Sequence, residues 1–340
     1  MSNRIVRAVG PLLVVMVWLS GTRGPSLAQE KMIPLKVSLS DVDVTKIIAY
    51  IAADEGIYKK NGLEVDQAIS PSAATVARRR GAAVPAQYVR AIDAPIGLGG
   101  GSPLVLAVAT DALAGDRVIL ATLDHIVHWH IMARPEIKTV EDLKGKRLGI
   151  SNATDMTFFF ARALAQKMGW NPVLDLSIMI NGSALDTLKS GKVDAVVATQ
   201  LLQQSAAAAG FPSIVDTRAW RIPIPGSGIN STRTWVRENP EATRRFVRSM
   251  VEAIAVLKRH KDVAMRAMGK YYGFTPEQQE ASYEGNKEMP TKPYPAIDGI
   301  NKAMELFDSR EMRKHKPEDF YDDTFVRELD KSGFIDGLYK

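Results

Sequence analysis

Apolar and polar residues alternate along Leu35-Lys-Val-Ser-Leu-Ser40, the period of a half-buried strand. The period then lengthens. From Thr45 to Lys60, residues Ile47, Ile48, Ile51 and Ala52 share one side of a predicted helix, and Asn61-Gly62 supplies a stop. Alternation returns from Leu63 to Ile69. Strand, helix and strand in that order make a β-α-β unit, the building block of parallel sheets.

The middle of the chain repeats the theme. Asp142-Leu-Lys-Gly-Lys146 leads into a predicted strand over Arg147 to Ser151. Thr157 to Met168 reads as a helix ended by Gly169, and Leu174 to Ile180 as a strand. Ala184 to Ser190 reads as a short helix closed by Gly191. Val193 to Thr199 is apolar throughout, as in a parallel strand covered on both faces. The last third is mainly helical. Asn239-Pro240-Glu241 predicts a helix start: a cap, a proline in the first turn and an acid at the positive end. Phe246, Met250, Ile254 and Leu257 then mark one buried face. Thr275-Pro276-Glu277 opens another helix, and Ala296 to Asp308 and Thr324 to Ser332 read as two more.

Composition adds a size argument. A chain of 340 residues, 46% hydrophobic and 24% charged, exceeds one small core and suits two lobes. The N-terminus changes the picture further. Arg4 and Arg7 precede a run of apolar character from Ala8 to Leu19, and Ser26-Leu-Ala28 places small residues at a cleavage site. That order predicts a secretory signal peptide over residues 1–28. The run is shorter than the roughly 20 residues a membrane span needs. Its removal takes three arginines from the 44 basic residues, leaving 41 against 38 acids, so the net charge falls from +6 to +3. No basic stripe points to nucleic acid as a partner. The chain has no cysteine, which excludes disulfides, a lipid-modified cysteine and thiol catalysis. These features predict a free periplasmic protein.

Four stretches in this order carry a family resemblance. They are Ile51-Ala-Ala-Asp-Glu-Gly-Ile-Tyr-Lys-Lys-Asn-Gly-Leu-Glu-Val65, then Arg134-Pro-Glu-Ile-Lys-Thr-Val-Glu-Asp-Leu-Lys-Gly-Lys-Arg-Leu-Gly-Ile150, then Leu188-Lys-Ser-Gly-Lys-Val-Asp-Ala195, and finally Tyr321-Asp-Asp-Thr-Phe-Val-Arg-Glu-Leu to Gly333-Phe-Ile-Asp. Together they resemble the periplasmic substrate-binding proteins of ABC transporters in the nitrate/sulfonate/taurine class, including the group named for thiamine-pyrimidine precursors. The resemblance implies an α/β, type II periplasmic-binding-protein fold: two α/β lobes joined by a two-strand hinge. Residues 29–123 and 224–340 would form lobe I and residues 124–223 lobe II. Between Pro71 and Gly101 the resemblance lapses, and the apolar core pattern resumes only at Pro103. That stretch is either a divergent loop or the product of paired frameshifts, which the gene sequence decides.

In this architecture ligands gather at loops after the carboxyl ends of strands and at helix starts. Ser40 and Asp41 follow the first strand and would face the cleft, with Asp43 as an alternative helix cap. Ser151, Asn152, Thr154 and Thr157 belong to a strand-to-helix loop whose free N–H groups can hold a carboxylate, sulfonate or phosphate. Asp155 competes as a cap for the same groups. Gly182, Ser183, Thr199 and Gln200 end the next two strands. His125-Ile-Val-His128-Trp-His130 invites a zinc reading, but the spacing supplies no third ligand. A strand there leaves Trp129 able to stack on a ligand. Gly97-Leu-Gly-Gly-Gly101 lacks the Gly-Lys-Ser/Thr of a phosphate loop. No catalytic triad or carboxylate pair stands out.

The expectation is an exported, monomeric receptor without cofactor or metal. It would capture a small organic solute, anionic by the helix-start argument, and deliver it to an ABC permease. A neutral pyrimidine-like ligand stays open. The alternatives are an enzyme or a signalling sensor on the same fold.

Overall fold

A computed structural model describes residues 31–40, 43–79, 84–112 and 116–340. The predicted signal segment and Asp41 lie outside the described residues. Ten strands form two sheets: β1 (Ile33–Leu39), β2 (Leu63–Ile69), β3 (Ile96–Gly99), β4 (Arg117–Thr122), β5 (His130–Ala133), β6 (Arg147–Gly149), β7 (Ser177–Met179), β8 (Ala195–Ala198), β9 (Ser213–Asp216) and β10 (Gly228–Thr232).

The first sheet runs β2-β1-β3-β10-β4 and the second β7-β6-β8-β5-β9. β1 lies parallel to β2, with Ile33 opposite Leu63, and parallel to β3 on its other side. β10 is antiparallel to β3 and β4. In the second sheet β6 is parallel to β7 and β8, while β5 is antiparallel to β8 and β9. Each sheet is thus a parallel set carrying an antiparallel strand where the chain crosses over. That is the two-lobed α/β plan.

The predicted helices form, with instructive shifts. Asp43 caps the first by accepting a hydrogen bond from Thr45 N at 3.0 Å. The helix then breaks at Gly56, whose φ of +68° favours glycine, into Ile47–Asp54 and Ile57–Lys60. Phe246, Met250, Ile254 and Leu257 are fully buried along Pro240–Arg259, as their spacing predicts. Each contributes roughly 1.5–3 kcal/mol of burial. Asn239 does not cap that helix with its side chain, which donates to Trp235 O at 3.0 Å instead. Thr275 does cap its helix, in a reciprocal box with Gln278.

The absence of core pattern between Pro71 and Gly101 is corrected. Ile96-Gly-Leu-Gly99 is β3, buried along its length between β1 and β10. Four residues are too few for alternation to stand out, and glycine leaves one face unmarked. The Asn230 side chain covers that face, donating to Gly97 O at 3.1 Å.

Two segments join the lobes, Leu123–Trp129 going out from β4 and Thr217–Ser227 coming back to β10. They pair antiparallel: Val127 N donates to Ile222 O at 2.9 Å, Ile224 N to His125 O at 3.1 Å, and Leu123 N to Ser227 O at 2.7 Å. One apolar core fills the first lobe. A second runs from β5, β6 and β8 into Leu104, Val105, Ile300 and Ala303, so the lobes also pack directly on one side. Among the described residues, no helix is long and apolar enough to cross a membrane.

Candidate functional site

Beside the crossing segments the two lobes enclose a cavity of about 790 Å³. That volume suits a small organic molecule, since ligand pockets run from about 300 to 1,000 Å³. Its lining comes from four places: the loop after β1 (Asp43, Thr45), the outgoing crossing with the first residue of β5 (Asp124, His125, His128, His130), the helix Gln200–Ala208 with the returning crossing (Gln200, Arg218, Arg221), and residues 281–290.

The two-residue period of extended backbone explains the histidines. His128 and His130 share the cavity face, while Trp129 and Ile131 turn into the core. Trp129 is 6% exposed and meets the Phe160 ring edge-on at 6.1 Å between centroids. The expectation that Trp129 stacks on a ligand is therefore corrected. His130 Nδ1 lies 2.9 Å from Ser213 Oγ. Burial, opposed by Asp216, pulls the His130 imidazole below its ordinary value.

One wall is dense in charge. Lys46, fully buried, donates through Nζ to Thr45 Oγ1 at 3.2 Å and to Ser227 Oγ. Asp124 Oδ1 accepts from Ser227 N at 2.5 Å. Burial alone would push Asp43 up, but the Lys46 ammonium, His128 and the Thr45 N–H outweigh it and hold the acid below its ordinary 3.8. Asp124 goes the other way. Burial, with the Asp43 charge beside it, raises this carboxyl against the pull of His128, Ser227 and Lys46.

The opposite charges sit on the returning segment and beyond it. Arg218 is held by Asp216, with Nε 2.8 Å from Oδ2. Arg221 occupies a left-handed backbone position at φ +49° and has no ion-pair partner among the described residues. Lys287 pairs with Glu284. Lys258 pins this wall by donating to Lys287 O at 2.6 Å and Met289 O at 2.5 Å. The lining therefore presents both signs of charge, together with side-chain amides from Gln200, Gln203 and Gln204.

The residues expected from sequence are distributed unevenly around this cavity. Gln200 lines it, and Thr199 stands next to it at the start of the same helix. Ser40 is exposed, with its N–H donating to Leu98 O at 2.9 Å. Gly182 is packed against Gly149 so closely that a Cβ would meet Gly149 Cα at 2.8 Å. Ser183 Oγ donates to Val197 O at 2.8 Å. Both belong to the turn that ties β7 to its neighbours. Ser151, Asn152, Thr154 and Thr157 form one hydrogen-bonded loop away from the cavity lining.

An open anion site at that helix start is corrected as well. Asp155 Oδ1 accepts from Thr157 N at 2.8 Å and Phe158 N at 3.2 Å, so a carboxylate of the chain already fills it. The following Met156 reaches across to the first lobe, where its sulfur accepts from Ser102 Oγ at 3.0 Å. Asp124, Arg218 and Arg221 are among the lining residues that sequence reading missed, as is Lys46 buried behind Asp43. Asp124 had a usable signal, since it lies two residues beyond the carboxyl end of β4. The arginines had none, because a crossing segment has no period.

Residues 44–264 match the family model described as NMT1/THI5 like. Among solved structures, a putative periplasmic sulfonate-binding protein SsuA of Methylobacillus flagellatus KT superposes with a TM-score of 0.65 at 14% identity, covering 91% of this chain and 97% of that one. The periplasmic nitrate-binding protein NrtA of Synechocystis PCC 6803 gives 0.66 at 12% identity, covering 88% and 89%. The desulfurization enzyme DSZB gives 0.59 at 16% identity, covering 88% and 99%. At such identities the likeness is one of fold. No curated protein matches the chain.

Proposed function

Because the chain belongs to the NMT1/THI5-like family, we propose that it is a periplasmic solute-binding protein that captures a small organic solute between its lobes and delivers it to an ABC permease. The observation that carries this reading is the cavity beside the paired crossing segments, with the Gln200 amide of one lobe bonded to Ser282 of the other at 2.7 Å. In this reading residues 1–28 direct export and are removed. Residues 29–123 with 224–340 form one lobe and 124–223 the other, and the ligand closes them about the crossing. Closure needs only that the ligand prefers the closed form. The solute carries an acid group, for which Arg221 offers a lining cation without an ion-pair partner among the described residues. Both the sulfonate-binding and the nitrate-binding neighbours named above fit that chemistry.

The test is a thermal-shift screen of residues 29–340 against sulfonates, carboxylates, aromatic acids and pyrimidines, followed by calorimetry on each hit. A ligand of the folded state raises the melting temperature by mass action. Recovery of the ligand unchanged after prolonged incubation is the expected result. One observation favours an enzyme instead: DSZB shares the fold, and the Asp43, Lys46, Asp124 and His128 cluster holds acid and base groups side by side. Conversion of the ligand would establish that reading and end the receptor one.

A further inference from the structure

The chain carries 13 methionines and no cysteine, so its sulfur chemistry is that of thioethers. Several of these side chains are ordinary apolar residues. Met132, Met250 and Met268 are fully buried, and Met179 stands 39% exposed on the surface. Met156 differs. It is half-buried, and among the described residues it alone has its sulfur hydrogen-bonded. The Ser102 N–H donates to Met156 Sδ at 3.2 Å and the Ser102 O–H at 3.0 Å.

These two bonds join the lobes. Met156 is the first residue of the second-lobe helix Met156–Lys167, and Ser102 the first residue of the first-lobe helix Ser102–Ala109. Asp155 caps the former through Thr157 N and Phe158 N, which fixes the turn that presents the sulfur. The same helix bears on the first lobe again where the Phe158 and Phe307 rings lie 5.9 Å apart. Gly101, at φ +66°, leaves the space that the sulfur fills. A Cβ there would lie 2.9 Å from Met156 Sδ and 2.8 Å from Gly226 O on the returning crossing. The sulfur is thus seated where both lobes and the crossing converge, with no room for another heavy atom on the Gly101 side.

A thioether is a weak acceptor, soft and adaptable. Oxidation adds an oxygen to the sulfur and makes the side chain polar. That oxygen must stand either between the sulfur and the Ser102 donors or against Gly101. Both positions push the start of one helix away from the start of the other. While the contact is made, the Ser102 hydrogens engage the electron pairs that an oxidant needs. Parting of the lobes frees them.

We propose that Met156 is a redox-sensitive latch: a peroxide oxidises it when the lobes part, and the sulfoxide then holds them apart. The sulfur lone pair attacks one peroxide oxygen, the O–O bond breaks and the S–O bond forms. The departing hydroxide takes the proton from the S–OH cation, giving the sulfoxide and water. Sulfur loses two electrons and the peroxide gains them. The latch needs two lobes and no particular solute, so its failure leaves the receptor reading as it stands.

The experiment uses residues 29–340 with spin labels at Lys189→Cys and Lys331→Cys, one exposed helix position on each lobe of a chain without other cysteines. The labelled protein is treated with graded hydrogen peroxide. Pulsed electron spin resonance gives the interlobe distance, and peptide mass spectrometry the oxidation of each methionine. The distance is expected to lengthen by more than about 2 Å in step with sulfoxide at Met156, and to be restored by methionine sulfoxide reductase. Met156→Leu, which keeps an apolar filler and takes no oxygen, is expected to hold its distance under the same treatment. Ser102→Ala removes one of the two donors and is expected to be oxidised at Met156 several-fold faster; an unchanged rate would overturn the protection by Ser102. Sulfoxide at Met156 with an unchanged distance would overturn the latch. So would a lengthening that tracks another methionine or that Met156→Leu shares, or a Met156 left intact when Met179 is fully oxidised. If Met156→Leu does not fold, the tracking in the parent decides alone.

Discussion

The Gln200 side-chain amide donates to Ser282 Oγ at 2.7 Å, bonding the first residue of a second-lobe helix to a buried serine of the first lobe. Leu201, the next residue, is 6% exposed and belongs to the first lobe's core. The helix Gln200–Ala208 therefore docks its start into the facing lobe beside the cavity. The bond exists only while the lobes are together.

Gln200→Ala removes that bond and leaves the fold of each lobe untouched. A neutral hydrogen bond is worth about 1 kcal/mol net, so binding of the cavity ligand is expected to weaken about fivefold. Calorimetry gives the affinity, and solution scattering of the ligand-free protein is expected to show a larger radius of gyration. An unaltered affinity would mean that closure does not draw on this contact.

Arg221→Gly separates stability from function. A left-handed backbone costs an L-residue roughly 1–2 kcal/mol and glycine nothing, so the variant is expected to melt about 2 °C higher. Arg221 is already at φ +49° in the folded chain. Losing a charge-assisted contact of about 1.5–3 kcal/mol, the variant is expected to bind acidic ligands tenfold or more less tightly. Unchanged affinity would remove Arg221 from the site.

Asp124→Asn has a pH signature. Burial and the neighbouring Asp43 raise the folded-state value of the Asp124 carboxyl above its ordinary 3.8. A raised acid stabilises the fold below that ordinary value, and the contribution disappears as pH rises through the folded-state value. Asparagine carries no such loss. The variant is expected to melt higher than the parent at about pH 8 and no higher at about pH 3, by melting curves across that range. Equal melting at every pH would mean that Asp124 is not desolvated.

Asp155→Ala tests the helix start that sequence reading favoured for an anion. Asp155 satisfies Thr157 N and Phe158 N. Its loss is expected to destabilise the fold by about 1 kcal/mol, seen in a denaturant titration, without altering ligand affinity. Weaker binding at unchanged stability would return that loop to the site.

Much of the architecture was legible because it repeats locally. β2 has the limits its alternation predicts, and the face of Phe246, Met250, Ile254 and Leu257 is buried as spaced. The alternation of His128 with Trp129 placed one toward the cavity and the other into the core, although which side held the cavity was not written in the period. β3 was missed because two of its four residues are glycine.

By itself the sequence determined the α/β class, the order of the elements with a marked period and the family, since periodicity and short ordered motifs are properties of neighbours along the chain. Only the tertiary structure decided which polar residues meet. Lys46 and Ser227 are 181 positions apart, Asp124 and Ser227 are 103 apart, and Gln200 and Ser282 are 82 apart. At Asp155 the loop's own carboxylate accepts from the N–H groups of the helix start, an arrangement set by residues two and three positions apart. At Asp124 the crossing of two segments from opposite lobes buries a charge, and nothing within either segment records that the other will lie against it.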